Sequence, residues 1–397
     1  MPLNASPDCL IAASAILEDG SIISPAVIRI AAGKITDVSS ELPPAKSQHT
    51  LDLGSTTLFP GFINAHAHLD LTGLGSLAHA PFATWVTELV QKKSAQSDSD
   101  VATGIKNGAQ ALLRSGVTTV FDHVSAGTPL QAFAGLPLSV VAFGEVGGRS
   151  ATKASRSYTD FMLAKKHAPI PFHITPHALY SVALDILQDV LEDEPGPFSI
   201  HLNESLEEKL YFESRQGDLA EFIANITDTD LPFHNSGIQA LQECAPNLEN
   251  SLLVHCNYLN DLDLAALATW QNCCVVHCPG SFAFFGHEKF PLQKLRAAGV
   301  NIALGTDSLA SNTSLNYLDE IRLFLKMFPK INFTELLPMI TTNAAKAIGL
   351  KHVGKIAVGC TADFIGFKAD NKMDPLEFLL TREKPNFIMT RGTVRTY

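Results

Sequence analysis

The sequence predicts an α/β chain built on a (β/α)8 barrel of the TIM type. Three observations predict it. Through the middle of the chain, apolar strand-like runs alternate with helical patterns, the signature of α/β architecture. Several of those runs end in a histidine or an aspartate, the placement a parallel barrel requires, since such barrels assemble their sites at the C-terminal ends of different strands. The span from His66 to Asp307 divides into seven strand-to-strand steps of about 34 residues, close to the unit length of a barrel of about 250 residues.

The elements follow in chain order. Residues 9–53 hold short β-like runs, such as Ala26-Val27-Ile28-Arg29-Ile30 and Lys34-Ile35-Thr36-Asp37-Val38, with turn signals at Asp19-Gly20 and Gly33. The apolar run Leu58-Phe59-Pro60-Gly61-Phe62-Ile63 reads as one buried strand closing on His66-Ala67-His68. On an extended backbone residues i and i+2 share a face, so these two imidazoles converge on one point, an arrangement that suits a metal ion. Residues 91–100, rich in Lys, Ser and Asp, read as an exposed loop. Residues 104–115 read as a helix stopped at Gly116, followed by the strand Val117-Thr118-Thr119-Val120-Phe121-Asp122.

Downstream, Phe198-Ser199-Ile200 leads into His201, Ser251-Leu252-Leu253-Val254 into His255, Cys274-Val275-Val276 into His277, and the run from Val300 to Thr306 into Asp307. The spacing places His66 and His68 on strand 1 and the other four on strands 5, 6, 7 and 8. Residues 314–329 are amphipathic. The C-terminus returns to β-like texture in Ala362-Asp363-Phe364-Ile365-Gly366-Phe367 and Phe387-Ile388-Met389-Thr390, and strands from the two ends are expected to pair.

Composition narrows the function. With 46% hydrophobic and 17% charged residues over 397 positions, the chain can bury a barrel and a second, smaller unit. A net charge of −11 disfavours nucleic acid, whose phosphates need a basic surface. Seven cysteines without C-x-x-C spacing read as reduced thiols. Residues 1–4 lack the basic region and apolar core of a signal peptide, and no apolar run approaches a membrane span, so a cytoplasmic location without a membrane partner is expected.

Six ordered stretches then carry a resemblance: Pro60-Gly61-Phe62-Ile63-Asn64-Ala65-His66-Ala67-His68, Thr175-Pro176-His177-Ala178-Leu179-Tyr180-Ser181, His201-Leu202-Asn203-Glu204-Ser205, Leu253-Val254-His255-Cys256, His277-Cys278-Pro279 and Leu304-Gly305-Thr306-Asp307-Ser308. The chain resembles the metal-dependent amidohydrolase superfamily over nearly its whole length. Within it, the chain looks most like the mononuclear heterocyclic amine deaminases, among them S-adenosylhomocysteine, guanine and aminodeoxyfutalosine deaminases. The resemblance implies a small β-sandwich from residues 1–57 and 355–397 around a barrel of residues 58–354. It also implies one divalent ion held by His66, His68, His201 and Asp307. Three imidazoles and a carboxylate suit zinc or iron(II), whereas magnesium and calcium prefer oxygen cages. Relatives with two metals carry a lysine near the end of strand 4, and the stretch Pro171-Phe172-His173-Ile174-Thr175-Pro176-His177-Ala178 has none.

The same resemblance assigns catalysis to Glu204, His255 and Asp307. Glu204, three residues after His201, would protonate the ring nitrogen and pass a proton to the departing amine, which cannot leave as amide ion. His255 and Asp307 would orient or deprotonate the attacking water. Glu207 and Glu208 read as solvated helix charges. Substrate contacts are expected from His177, His277, Trp85 and Arg149, while His123 reads as a core histidine outside the site. Nucleoside-type relatives carry a glutamate in the loop after strand 1, and none stands between Leu69 and Thr87. The expected reaction is hydrolytic deamination of a 6-aminopurine nucleoside-like compound, aminodeoxyfutalosine or adenosine-type, with release of ammonia. The alternatives are hydrolysis of another C–N or C–Cl bond, in guanine, a pterin, a triazine or a cyclic amide, and a non-catalytic scaffold. A small-molecule heterocyclic amine is the expected partner, and a homodimer is compatible with the sequence.

Overall fold

The computed structural model describes residues 6–395 apart from 45–46, 195, 228–230, 233–234, 247 and 369–373. Residues 1–4, read above for a leader, lie outside the described residues. Eight strands carry the centre of the molecule: β1 Phe62–Ala67, β2 Val117–Val124, β3 Ser139–Val146, β4 Phe172–Pro176, β5 Phe198–Leu202, β6 Glu249–His255, β7 Gln271–His277 and β8 Asn301–Leu304. They pair in parallel in two sheets of four, β1 to β4 and β5 to β8, with neighbours in sequence also neighbours in space. Backbone bridges Ala178/His201 and Ala67/Asp307 connect the outer strands of the two sheets. Both bridges fall at the C-terminal ends of strands, so the contacts between the sheets are made by candidate site residues.

Strand alternation sorts side chains between two cores. Phe121, Phe143, Leu252, Val254, Cys274, Val276 and Ala303 gather in an inner cluster with Ala344 and Ala345 of the helix Thr342–Ala347. Their sequence neighbours Val120, Ala142, Leu253, Val275 and Ile302 belong to the outer cluster shared with the surrounding helices. A strand covered on both faces has no solvent side, which is why β2 is buried at every residue, its Thr118, Thr119, Asp122 and His123 included.

The run at residues 58–63 departs from the one-strand expectation. Thr56–Pro60 pairs antiparallel with Phe364–Lys368, and the parallel β1 begins only at Phe62. Gly61 is the break: a Cβ there would stand 2.2 Å from the Thr118 hydroxyl oxygen, and its N–H donates to the Asp363 carbonyl at 3.0 Å. Hydrophobicity carries no mark of this division because both halves are buried.

Strands from the two ends of the described chain form two further sheets. Lys34–Ser39, Ala26–Ala31, Cys9–Ala12 and Thr50–Asp52 form one sheet in that order, and a six-stranded sheet joins Thr56–Pro60 to Ser14–Ile16 on one side and Phe364–Lys368 on the other. Leu10, Ile28, Leu58, Phe364 and Met389 share one core between them. The loop expected at residues 91–100 is a correction: helix Phe82–Ser94 runs into it and helix Asp98–Arg114 starts within it, capped by a reciprocal Ser97–Asp100 pair. The polar residues there are cap and solvent-face positions, which share composition with loops.

Candidate metal centre and catalytic residues

Three local devices aim the site residues. The first is a bulge in β1. Between Asn64 and Ala67 the register with β2 shifts by one residue, so that Ile63 and Ala65 face the inner core while Ala67 faces the outer one. A bulge re-aims the side chains beyond it, and here it turns His66 and His68 to the site. The second is Asn64, which accepts from the backbone N–H of His66 (3.3 Å) and Thr306 (3.1 Å) and donates to the Thr306 hydroxyl (2.8 Å), fastening the end of β1 to the turn that presents Asp307. The third is left-handed backbone at Asn203 (φ 48°), His255 (φ 73°), Cys256 (φ 50°) and Asp307 (φ 58°). Residues other than glycine take this conformation uncommonly, and here it breaks strand alternation at the ends of β5, β6 and β8.

The donor atoms of His66, His68 and His201 lie within 4.8 Å of one another, and so do those of His66, His255 and Asp307. Asp307 Oδ1 stands 3.5 Å from His66 Nε2 and 3.7 Å from His68 Nε2. Among the described residues, neither ring nitrogen of the fully buried His66 has a hydrogen-bond partner, and neither does His255 Nε2. Buried polar atoms are rarely left unsatisfied. Two triads of donors that share His66, several of them without hydrogen-bond partners among the described residues, fit a divalent cation of the zinc class. Burial, with the charge of His66 second, lowers His68 to about 4, and burial lowers His255 and His177 to about 3. The neutral imidazole is the form that offers a lone pair.

Glu204 is buried with Oε1 3.6 Å from His255 Nε2. Burial, then the charges of Asp307, Glu208, Glu207 and Glu145, push its carboxyl well above the usual range, toward the protonated form a general acid needs. Glu208 is a correction to the sequence reading. It is fully buried rather than solvated, and its two oxygens accept the backbone N–H groups of Asn203 (3.0 Å) and Glu204 (2.7 Å). Asn257 Nδ2 donates to the Glu204 carbonyl at 2.9 Å, and the Asn257 and Tyr258 N–H groups donate to the Asn203 carbonyl. The turns after β5 and β6 are thus laced together, holding Glu204 opposite His255.

The expected substrate contacts divide. His177 is half-buried at the site, its ring stacked on His201 at 4.6 Å and its Nδ1 2.9 Å from the Ser181 hydroxyl. His277 instead stacks on Phe290 at 3.9 Å and lies beside Phe282 and Phe324. It shares the parity of Val275, which faces the helices, so strand alternation alone carries it away from the cluster. Trp85 packs edge-on against Phe285 and Phe284, and Arg149 is buried with Nη1 donating to the Val182 carbonyl at 3.0 Å. All three stand in packing environments. His123 stays a core histidine, bonded to the Ser199 hydroxyl at 2.6 Å with its ring 4.1 Å from that of His66. The loop after β1 lacks a glutamate of its own, yet Glu207 Oε1 reaches it and accepts from Phe82 N–H at 3.4 Å. Glu145, one residue before the end of β3, was missed: it is buried with its carboxylate beside His68 and His201. The rule that polar residues at strand ends mark the site would have found it in Phe143-Gly144-Glu145-Val146.

Comparison with known proteins places this geometry. The sequence model of the Amidohydrolase family matches residues 57–395. The chain is 30% identical over 352 residues to the 5-methylthioadenosine/S-adenosylhomocysteine deaminase of Pyrococcus furiosus, covering 83% of this chain and 79% of that one. It is 25% identical over 372 residues to the aminodeoxyfutalosine deaminase of a Nitratiruptor species, 90% and 89% of the two chains. Helicobacter pylori aminofutalosine deaminase in complex with methylthio-coformycin superposes with a TM-score of 0.85 at 24% identity, over 98% of this chain and 100% of that one. An adenosine deaminase from Xanthomonas campestris with bound zinc gives 0.81 at 20% identity, over 99% and 93%. At such identities the structural likeness speaks to the fold.

Proposed function

Since the chain belongs to the amidohydrolase family and is a hydrolase acting on carbon–nitrogen bonds other than peptide bonds, we propose that it removes the 6-amino group of an adenosine-like compound as ammonia. The observation that carries this reading is the Glu204 carboxyl held 3.6 Å from His255, beside three converging imidazoles and Asp307. Loss of an amine needs a proton donor at that place, whereas loss of chloride does not.

His66, His68, His201 and Asp307 would hold one zinc or iron(II) ion. The chemistry such an ion supplies is Lewis acidity, which draws a water's pKa down toward neutrality. Around it the chain's own groups move the protons. His255, uncharged and with Nε2 free of protein hydrogen bonds, accepts a proton from the attacking water. Glu204 gives its proton to the ring nitrogen as the water oxygen bonds to the amine-bearing carbon. The carbon–nitrogen bond then breaks as the proton that His255 took from water goes to the amine, which leaves as ammonia, and the remaining hydroxyl proton returns to Glu204, giving the ring as the oxo product. His177 flanks the ring.

The two relatives point to the substrate class, a purine nucleoside substituted at the 5′ position, with aminodeoxyfutalosine the member favoured by the texture of residues 201–217. The described residues of 58–354 form the barrel unit in this reading, and those of 1–57 with 355–397 a small sandwich. All seven cysteines are free thiols and no helix among the described residues is long and apolar enough to cross a membrane, which supports a cytoplasmic setting.

Ammonia release by metal-quantified protein, measured on adenosine, methylthioadenosine, S-adenosylhomocysteine, aminodeoxyfutalosine, guanine, pterins and triazines, tests the reading. About one metal per chain with turnover of the adenosine-type compounds is expected. Metal binding with no turnover on any amine would overturn deamination in favour of another hydrolysis.

A further inference from the structure

Two nitrogens of a metal-binding imidazole cannot both face the ion, and the far one needs an acceptor that fixes the ring and its tautomer. In His68, Nε2 faces Asp307 at 3.7 Å and Nδ1 points the other way. In His201, Nδ1 stands 3.1 Å from the His177 carbonyl, which leaves Nε2 for the centre. Both far nitrogens also lie near one and the same side chain, within 4 Å. Glu145 Oε1 lies 3.3 Å from His201 Nδ1, and Oε2 lies 3.9 Å from His68 Nδ1. Its carboxylate is 6% exposed, so the group is excluded from water and must find its partners within the protein.

We propose that Glu145 is a positioning residue shared by two ligands, one oxygen turned to each of His68 and His201, which holds both rings with Nε2 toward the ion. This rests on the metal-centre reading above. The strands explain why one residue can do this. Glu145 stands one residue before the end of β3, in the first sheet, His68 directly follows β1 of the same sheet, and His201 comes from β5 in the second. The carboxylate therefore links the ligands of the two sheets across the bridge between Ala178 and His201. A rival geometry is also present, because the donor atoms of Glu145, His177 and His201 lie within 4.8 Å and could take a second cation directly.

Zinc affinity separates these cases without reference to turnover. Wild-type protein and Glu145→Gln, both stripped by chelation, are titrated with zinc against a chromophoric competitor, and the visible spectrum of the cobalt(II) forms is recorded. The expected result is one zinc per chain in both proteins, bound about 10- to 100-fold more weakly by the variant, with a shifted cobalt spectrum. Glu145→Asp, which keeps the charge, should recover part of the affinity, and it replaces Gln should that variant fail to fold. Equal affinity and an unchanged spectrum would overturn the proposal. Two zinc ions in the wild type with one lost in the variant would overturn it in favour of a second metal site. A wild type that binds no metal would remove the metal-centre reading and this proposal together.

Discussion

Glu204 gives the sharpest prediction at the scale of one residue, because its task is proton delivery rather than metal binding. Glu204→Gln keeps the volume and removes the acid, so kcat should fall by about 10²- to 10⁴-fold while bound metal stays at the wild-type level. Ammonia release and metal analysis on the same preparation check both halves, and full activity would exclude the role. Side-chain identity made this residue legible in the sequence, since a carboxylate three positions after a ligand histidine is a local pattern. Glu145 and Glu208 are the same residue type, yet their roles depend on neighbours from other strands and turns, His68 and His201 for one and the backbone of the loop after β5 for the other.

Elements fix where those residues stand, and the laced turns after β5 and β6 are the element to test. Glu208→Ala leaves the buried N–H groups of Asn203 and Glu204 without their acceptor, which costs about 1–3 kcal/mol for each group left unsatisfied. Urea midpoints should fall accordingly, with kcat reduced because Glu204 loses its registration to His255. A second element is the junction at Gly61, whose N–H is held by the Asp363 carbonyl. The Asp363 side chain accepts from Arg391 N–H at 2.7 Å, and burial raises it from 3.8 to about 6, outweighing the opposing hydrogen bond and charge of Arg391. A carboxyl raised in the folded state contributes stability that is present below its unfolded pKa and lost as pH rises through the folded one. The loss here spans roughly pH 4 to 6 and is on the order of 3 kcal/mol at about 1.4 kcal/mol per unit. Asp363→Asn keeps an acceptor for Arg391 and removes the titration. Its stability relative to wild type should rise across that window, and parallel urea curves at pH 4 and pH 7 read the difference.

Across the whole molecule, the proposed ligands come from both parallel sheets: His66 and His68 at the end of β1, His201 on β5 and Asp307 after β8. An ion bound by all four ties together the two sheets that the backbone bridges join. Binding only to the folded state adds about 2.7 kcal/mol when free metal is a hundredfold above Kd. Chelation should therefore lower the thermal midpoint and speed amide exchange at Ala67, His201 and Asp307, and added zinc should restore both. A midpoint indifferent to chelator would mean that the four residues do not share an ion.

The sequence by itself determined the order of strands, the family and most of the histidines and carboxylates that the structure gathers, with Glu145 left out and His277 wrongly included. Each is written in a local signal: the parallel strands carry short apolar runs, and the candidate ligands sit where those runs stop. Only the tertiary structure decided which strand-end residues face inward. His255 and His277 look alike in sequence, one residue type at the end of two similar strands, yet left-handed backbone turns the first into the site while plain alternation sends the second to Phe290. The same limit applies at Gly61, where burial on both sides hides a change of sheet, and at Trp85, whose aromatic surface went to packing against Phe284 and Phe285. Hydrophobic pattern records that a residue is buried. The direction it faces, and what it meets there, depend on bulges, turns and partners contributed by segments far away in the chain.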